Sequence, residues 1–330
     1  MWMAQESDLE TWAVMDICPI SDKEFILTNS EDGIFKYDSC DNQLKNIMNL
    51  ESQFEEVEAE SHSIAYNHST NTLYVCVDEA QTIHIFDIEN KRKIDDFCVY
   101  SSEVKIDHFH LIYIEGNLHL ISGFINNKHL ICNKDTHKFE DDWIFEEWKD
   151  EDRNSSFGMY SGGLVYIQSK RELLLFGGLR LHEDFRKDIY RYSFQDKKWV
   201  LLSYKLPIAM ELFGYILTFD EKYILIFGGY TGQDEFDTIY IWDLQNMRFK
   251  KSEICCPIKD GFLACITAEN IEPIVVNGFI RKYIEIDPKI VPQDIIQLIW
   301  NWCSDCFVHL ISREDKKHWK IDINKILTNA

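Results

Sequence analysis

The sequence predicts an all-β protein of six repeated four-stranded units that close into a ring, followed by a short C-terminal helical tail. Three observations carry this expectation. An aromatic or aliphatic segment ending in a polar residue recurs at Tyr37-Asp38, Phe86-Asp87, Cys132-Asn133, Tyr192-Ser193, Trp242-Asp243 and Ile286-Asp287. Its period is about 50 residues, the length of one four-stranded propeller blade. Alternation such as Ile239-Tyr240-Ile241-Trp242 is strand-like, and no long stretch of helical periodicity precedes residue 292.

Each unit divides into four strands. Upstream of each polar turn residue lies an apolar run: Phe25–Thr28, Tyr74–Val77, Leu120–Gly123, Leu173–Gly178, Ile224–Gly229 and Val275–Gly278. Two of these runs end in a glycine doublet, Gly177-Gly178 and Gly228-Gly229, where a positive φ or a close backbone approach is expected. Before them comes one more strand, as in Gly163–Ile167 and Gly214–Thr218. Six residues after each polar turn residue a fourth strand opens, at Leu44, Lys93, Phe139, Trp199 and Phe249, which is hairpin spacing. The sixth unit meets Pro288 and Pro292 where its fourth strand belongs. The unpartnered segment Thr11–Met15, with Trp12 in the place of Trp199, is therefore expected to complete the last blade and remove the open edge. On this reading residues 9–290 are the propeller and residues 291–330 a helical appendage.

Gly177-Gly178, then Tyr192, then Trp199 resembles the kelch repeat, and Gly228-Gly229, Trp242 and Phe249 resemble it more loosely. The resemblance implies a six-bladed kelch-like β-propeller and a role in binding other proteins.

Composition excludes several function classes. Lys plus Arg is 34 and Asp plus Glu is 56, a formal charge of −22, which repels nucleic acid and anionic membrane surfaces. The N-terminal stretch has no secretory-signal pattern, and no apolar run is long enough to span a bilayer. Ten cysteines without the spacing of a disulfide scaffold read as free thiols in a reducing compartment, so the expected location is cytoplasmic. The chain is expected to be a monomer.

Catalytic readings find no support, so no catalytic residue, metal or cofactor is expected. His108 and His110 alternate in a strand and suit ordinary hydrogen bonding better than a copper site like that of galactose oxidase. Cys303, Cys306 and His309 lack a fourth zinc ligand and read as packing groups on a helix from Pro292 to Leu310. The opening of that helix, Val291 to Ile299, resembles an F-box, which implies the alternative of a ubiquitin-ligase substrate receptor. Acidic runs at Glu55–Glu60 and Glu140–Asp152 read as solvated loops, the second inserted between blades, and would favour a basic partner. The strongest candidate site is the set of loops that follow the glycine positions. Their first side chains are Phe124, Leu179, Tyr230 and Phe279, and the two longest add Arg180, His182, Arg186, Gln233 and Asp234. Aromatics and arginines on a rigid platform are the residue types that dominate interfaces. Arginines on so acidic a chain point to a protein or peptide partner, acidic where it meets these loops.

Overall fold

In a computed structural model of the chain, the repeat becomes a series of four-stranded antiparallel sheets. Described are residues 3–6, 14–21, 24–29, 33–38, 43–49, 62–77, 82–98, 109–122, 128–133, 138–144, 162–180, 184–257, 262–268, 275–276, 279–280, 306–312 and 317–328. Five sheets each come from one stretch of chain, with strands in sequence order. The first holds β2 (Val14–Pro19), β3 (Glu24–Asn29), β4 (Gly33–Asp38) and β5 (Gln43–Asn49). The second holds β6 (His62–Asn67), β7 (Thr72–Val77), β8 (Thr82–Asp87) and β9 (Arg92–Cys98). In the third are β10 (Phe109–Ile114), β11 (Asn117–Ser122), β12 (Lys128–Asn133) and β13 (Lys138–Ile144). The fourth has β14 (Gly163–Ile167), β15 (Glu172–Phe176), β18 (Ile189–Ser193) and β19 (Lys198–Leu201), with a small hairpin, β16 (Leu179–Arg180) and β17 (Asp184–Phe185), between β15 and β18. The fifth is β20 (Gly214–Leu217), β21 (Tyr223–Tyr230), β22 (Glu235–Asp243) and β23 (Arg248–Cys255). First strands lie side by side: β6 beside β2 and β10, and β20 beside β14. This arrangement makes the protein an all-β propeller.

The polar turn residue has a direct structural role. Asp87 Oδ1 accepts from the Asn90 amide at 3.0 Å, and Asp243 Oδ1 accepts from the Gln245 and Asn246 amides, both at 2.9 Å. Ser193 Oγ accepts from the Asp196 amide at 3.1 Å. Such side-chain caps favour tight turns, and each turn then passes through a left-handed residue: Lys91, Lys197 or Met247. The residue before the cap faces the residue seven positions later, pairing Tyr37 with Leu44, Phe86 with Lys93, Cys132 with Phe139, Tyr192 with Trp199 and Trp242 with Phe249. The spacing read from the sequence is thus the register of five hairpins.

The sixth unit is built differently from the expectation. A further four-stranded sheet is composite: β24 (Phe262–Ala268), β27 (Cys306–Ser312) and β28 (Lys317–Asp322) are completed by β1 (Met3–Glu6) from the other end of the chain. The register pairs Met3 with Lys320 and Glu6 with Lys317. The closing strand is therefore Met3–Glu6. Trp12 lies outside the described residues, and Val14 and Met15 open β2. Val275-Val276 and Phe279-Ile280 form a separate two-stranded ladder, β25 and β26, rather than entering the sheet. Residues 281–305, which include Ile286-Asp287 and the F-box-like Val291 to Ile299, lie outside the described residues. Cys306 to Leu310 is strand, not helix, because these residues pair with β24. Within residues 291–330 the described helix is only α1 (Ile323–Thr328), so the C-terminal region contributes sheet as well as a short helical tail. Glu140 to Ile144 likewise belongs to β13 instead of an inserted loop.

Packing between sheets makes the core. Asp322 Oδ1 accepts from the Asn324 amide at 2.8 Å and caps α1, whose Ile323 and Ile326 bury beside Leu225, Phe227 and Ile241 of the fifth sheet. Around the inner strands, Asp16 Oδ2 accepts from the Ile64 amide at 2.8 Å and from Ser63 Oγ, and Ser63 Oγ accepts from the Leu111 amide at 2.9 Å. Between the third and fourth sheets Arg171 forks onto Glu115, both contacts at 2.6 Å, and Tyr166 also donates to Glu115. Cys76, Cys132 and Cys256 are buried. Among the described residues no helix is long and apolar enough to cross a membrane.

A buried chain of rings crosses the same seam. Trp199 Nε1 donates to His129 Nδ1 at 3.3 Å, and His129 Nε2 lies 2.9 Å from His119 Nδ1. Indole is a donor only, so His129 carries its proton on Nε2 and donates to His119. Burial pushes His119 down to about 4, and burial with the neighbouring ring pushes His129 well below its ordinary value.

Two predictions follow from this architecture. Deleting residues 1–6 uncovers the edge of β28, so the melting temperature should fall, and a synthetic peptide of those six residues should restore it; an unchanged melting temperature would rule out closure by β1. Because both histidines titrate lower when folded, the unfolded chain binds more protons below pH 6.5, and stability is lost as pH falls from about 6.5 toward 4. The expected slope is about 1.4 kcal/mol per pH unit per histidine. Urea titrations at pH 7 and pH 5 should show a loss smaller by about 2 kcal/mol in His119→Gln than in the wild type. Equal losses would mean that His119 does not carry the effect.

Candidate functional site

Three loops converge at one end of the fourth and fifth sheets, and backbone chemistry decides how. β15 is followed by Gly177 and Gly178, with φ of +66° and +86°, which turn the chain out of the sheet. A Cβ on Gly177 would lie 2.9 Å from the Phe213 ring. The chain then folds back as the β16–β17 hairpin and returns past Arg186, whose amide donates to Gly178 O at 2.9 Å. The Gly178 amide donates at 2.7 Å to Met210 O, in the connection from β19 to β20. That connection is held again by the Leu206 amide on Lys187 O and by Lys187 Nζ on Pro207 O. Glu211 and Tyr230 exchange backbone hydrogen bonds in both directions, at 3.0 and 2.9 Å, which ties the connection to the fifth sheet.

The third loop joins β21 to β22. Thr231 closes its tip: its amide and hydroxyl both donate to Asp234 O, and its hydroxyl accepts from the Asp234 amide. Tyr230 Oη donates to Gly232 O at 2.9 Å. The Phe185 and Tyr230 rings meet edge to face with centroids 5.7 Å apart, joining the fourth-sheet loop to the fifth-sheet loop.

Charge is distributed unevenly over this face. Asp188 is buried between two cations, Arg186 Nη2 at 2.9 Å and Lys205 Nζ at 3.2 Å. Glu211 is equally buried, and burial alone pushes its carboxyl up.

Of the residues expected here, Arg186 and Tyr230 are partly buried and lie in the cluster, while Gln233 and Asp234 are exposed at the loop tip. Leu179 is buried, pairs with Phe185 in the hairpin and acts as a core residue rather than a surface anchor. Arg180 pairs with Asp184, and Phe279 with Val276, by backbone register alone. Phe124 and His182 lie outside the described residues. Phe185, Asp188, Lys205 and Glu211 were missed. Phe185 was legible as the one aromatic side chain in its loop, whereas the burial of Asp188 and Glu211 arises only when the loops meet. His108 also lies outside the described residues, and His110 sits in β10, lowered to about 4 by burial. Among the described residues no three His, Cys, Asp or Glu side chains are grouped to hold a metal ion.

The glycine at the second crossing point is equally constrained. At Gly229 φ is +128°, and a Cβ would lie 3.0 Å from the Phe236 ring and 3.1 Å from Glu211 O. Gly177→Ala and Gly229→Ala should each cost about 1–3 kcal/mol in denaturant titrations, since a left-handed conformation and a close contact are both violated. Wild-type stability in both variants would show that the loops adjust freely.

No protein-family model matches the chain, and no curated protein matches it. What the structure shows is an architecture, a β-propeller of small antiparallel sheets.

Proposed function

We propose that the protein is a non-enzymatic interaction scaffold, a kelch-like propeller, and that it binds a protein or peptide through the loop face of its fourth and fifth blades. The cross-tied loops carry this reading: three segments from two blades are locked by backbone hydrogen bonds and present the Phe185–Tyr230 pair beside an exposed tip. Such a surface loses little conformational entropy on binding, so its contacts translate efficiently into affinity. Five sheets are each built from one stretch of chain, and the composite sheet closes the ring, with β24 beside β20 on one side and β2 on the other. Support for the kelch-like character comes from the positive φ of both glycine doublets and from the facing pair Tyr192 and Trp199. A reducing compartment fits cysteines buried within strands, such as Cys76 and Cys132.

Affinity capture followed by alanine substitution tests the site. With a captured partner, Phe185→Ala and Tyr230→Ala should each weaken binding about tenfold or more, as aromatic anchors at interface centres do. Wild-type affinity in both variants, with unchanged melting, would place the partner elsewhere.

A further inference from the structure

Among the described residues only two carboxylates are buried, Asp188 and Glu211, each 6% exposed, and both lie on the loop face. They are solvated in opposite ways. Asp188 has two cations within 3.2 Å. Glu211 has none: among the described residues no side chain or amide hydrogen-bonds to its carboxylate, and no neighbouring charge acts on it. A buried carboxylate without donor or counter-ion is costly, and proteins rarely keep one without a use.

Three described cations of this face are already engaged. Arg186 and Lys205 hold Asp188, and Lys187 Nζ donates to Pro207 O. The exposed tip adds Asp234 and Glu235, on a chain of net charge −22. An acidic ligand would find its expected partner Arg186 occupied and Glu211 opposed to it. A cationic ligand would supply the counter-charge that Glu211 lacks. Tyr230, bridged to Glu211 through the backbone, and Phe185, packed on Tyr230, add aromatic surface of the kind on which a guanidinium stacks.

We propose that the loop face binds a basic segment of a partner protein, with an arginine or lysine side chain paired to the Glu211 carboxylate beside the Phe185–Tyr230 rings. The inference rests on the loop-face reading of the function and specifies the chemistry of the ligand.

Fluorescein-labelled hexa-arginine and hexa-glutamate peptides, followed by fluorescence anisotropy at about 0.15 M salt, provide the test. Hexa-arginine should bind and hexa-glutamate should not. Glu211→Gln should weaken hexa-arginine about tenfold, the scale expected when one member of a desolvated charge pair is removed. Asp196→Asn makes the same charge change in the turn between β18 and β19, at the opposite end of the blade, and should stay within about twofold of wild type. Glu211→Leu, which also removes the carboxylate, provides a second variant and should show the same loss. Each variant is accepted only with a wild-type melting transition. Equal binding by wild type and the Glu211 variants, an equal loss in Asp196→Asn, or preference for hexa-glutamate would each overturn the proposal. If Phe185→Ala and Tyr230→Ala still weaken a captured partner in that case, only the basic-ligand inference fails. If they do not, the loop-face reading fails with it.

Discussion

Two-sided burial of the middle strands is the constraint on which the architecture depends. Phe25, Ile26 and Leu27 in β3, and Ile224 through Phe227 in β21, are consecutive and fully buried. A strand with one wet face alternates apolar and polar residues; these do not, so both faces of each sheet need a neighbour. A linear stack would leave its first and last sheets uncovered. Arranging the sheets radially and bringing the ends together removes that exposure, and it explains why the fold uses strands from both ends of the chain in one sheet.

The composite sheet shows how a repeat ends without leaving an edge. Its third strand finishes at Ile321-Asp322, the same apolar–acidic pair that ends β4, β8 and β22. In the fifth sheet Asp243 caps a turn into a fourth strand, whereas here Asp322 caps α1. The same local chemistry, an aspartate accepting amides ahead of it, serves a hairpin in one place and a helix start in the other. α1 leads the chain away from the outer edge of β28 and covers the core of the fifth sheet instead, so that β1 can occupy the edge.

Rigidity and charge meet on the loop face. The positive φ of the glycines turns the chain out of the fourth sheet and places a bulge in β21 of the fifth, and the open backbone groups of the loops then satisfy one another rather than water. Asp188 helps fasten two of these loops through Arg186 and Lys205, so the obvious cations of the face act as internal fastenings. Net charge alone would not reveal this, because the sequence shows which charges exist but not which are spent within the fold.

Much of the fold was legible in the amino-acid sequence, because it is written in short-range chemistry. The polar turn caps, the seven-residue offset from Tyr192 to Trp199 and the glycine doublets all act over fewer than ten residues, and the structure places them in the expected hairpins and crossings. The sixth unit was misread because Asn277-Gly278 and Ile286-Asp287 imitate the repeat locally, while the strand that pairs with β24 lies further along, at Cys306–Ser312, with its own partner following at Lys317–Asp322. At the site, the sequence by itself determined that the segments after the two glycine doublets carry aromatic and charged side chains, but not that the connection from β19 to β20 joins them. Only the tertiary structure decided that Leu179 is core, that Arg186 is taken by Asp188, and that Glu211 is buried without a counter-ion. Arg186 is a near neighbour of Asp188 in sequence, but Lys205 and the Glu211–Tyr230 bridge come from other segments, and burial and electrostatic pairing are properties of distance in space rather than of order along the chain.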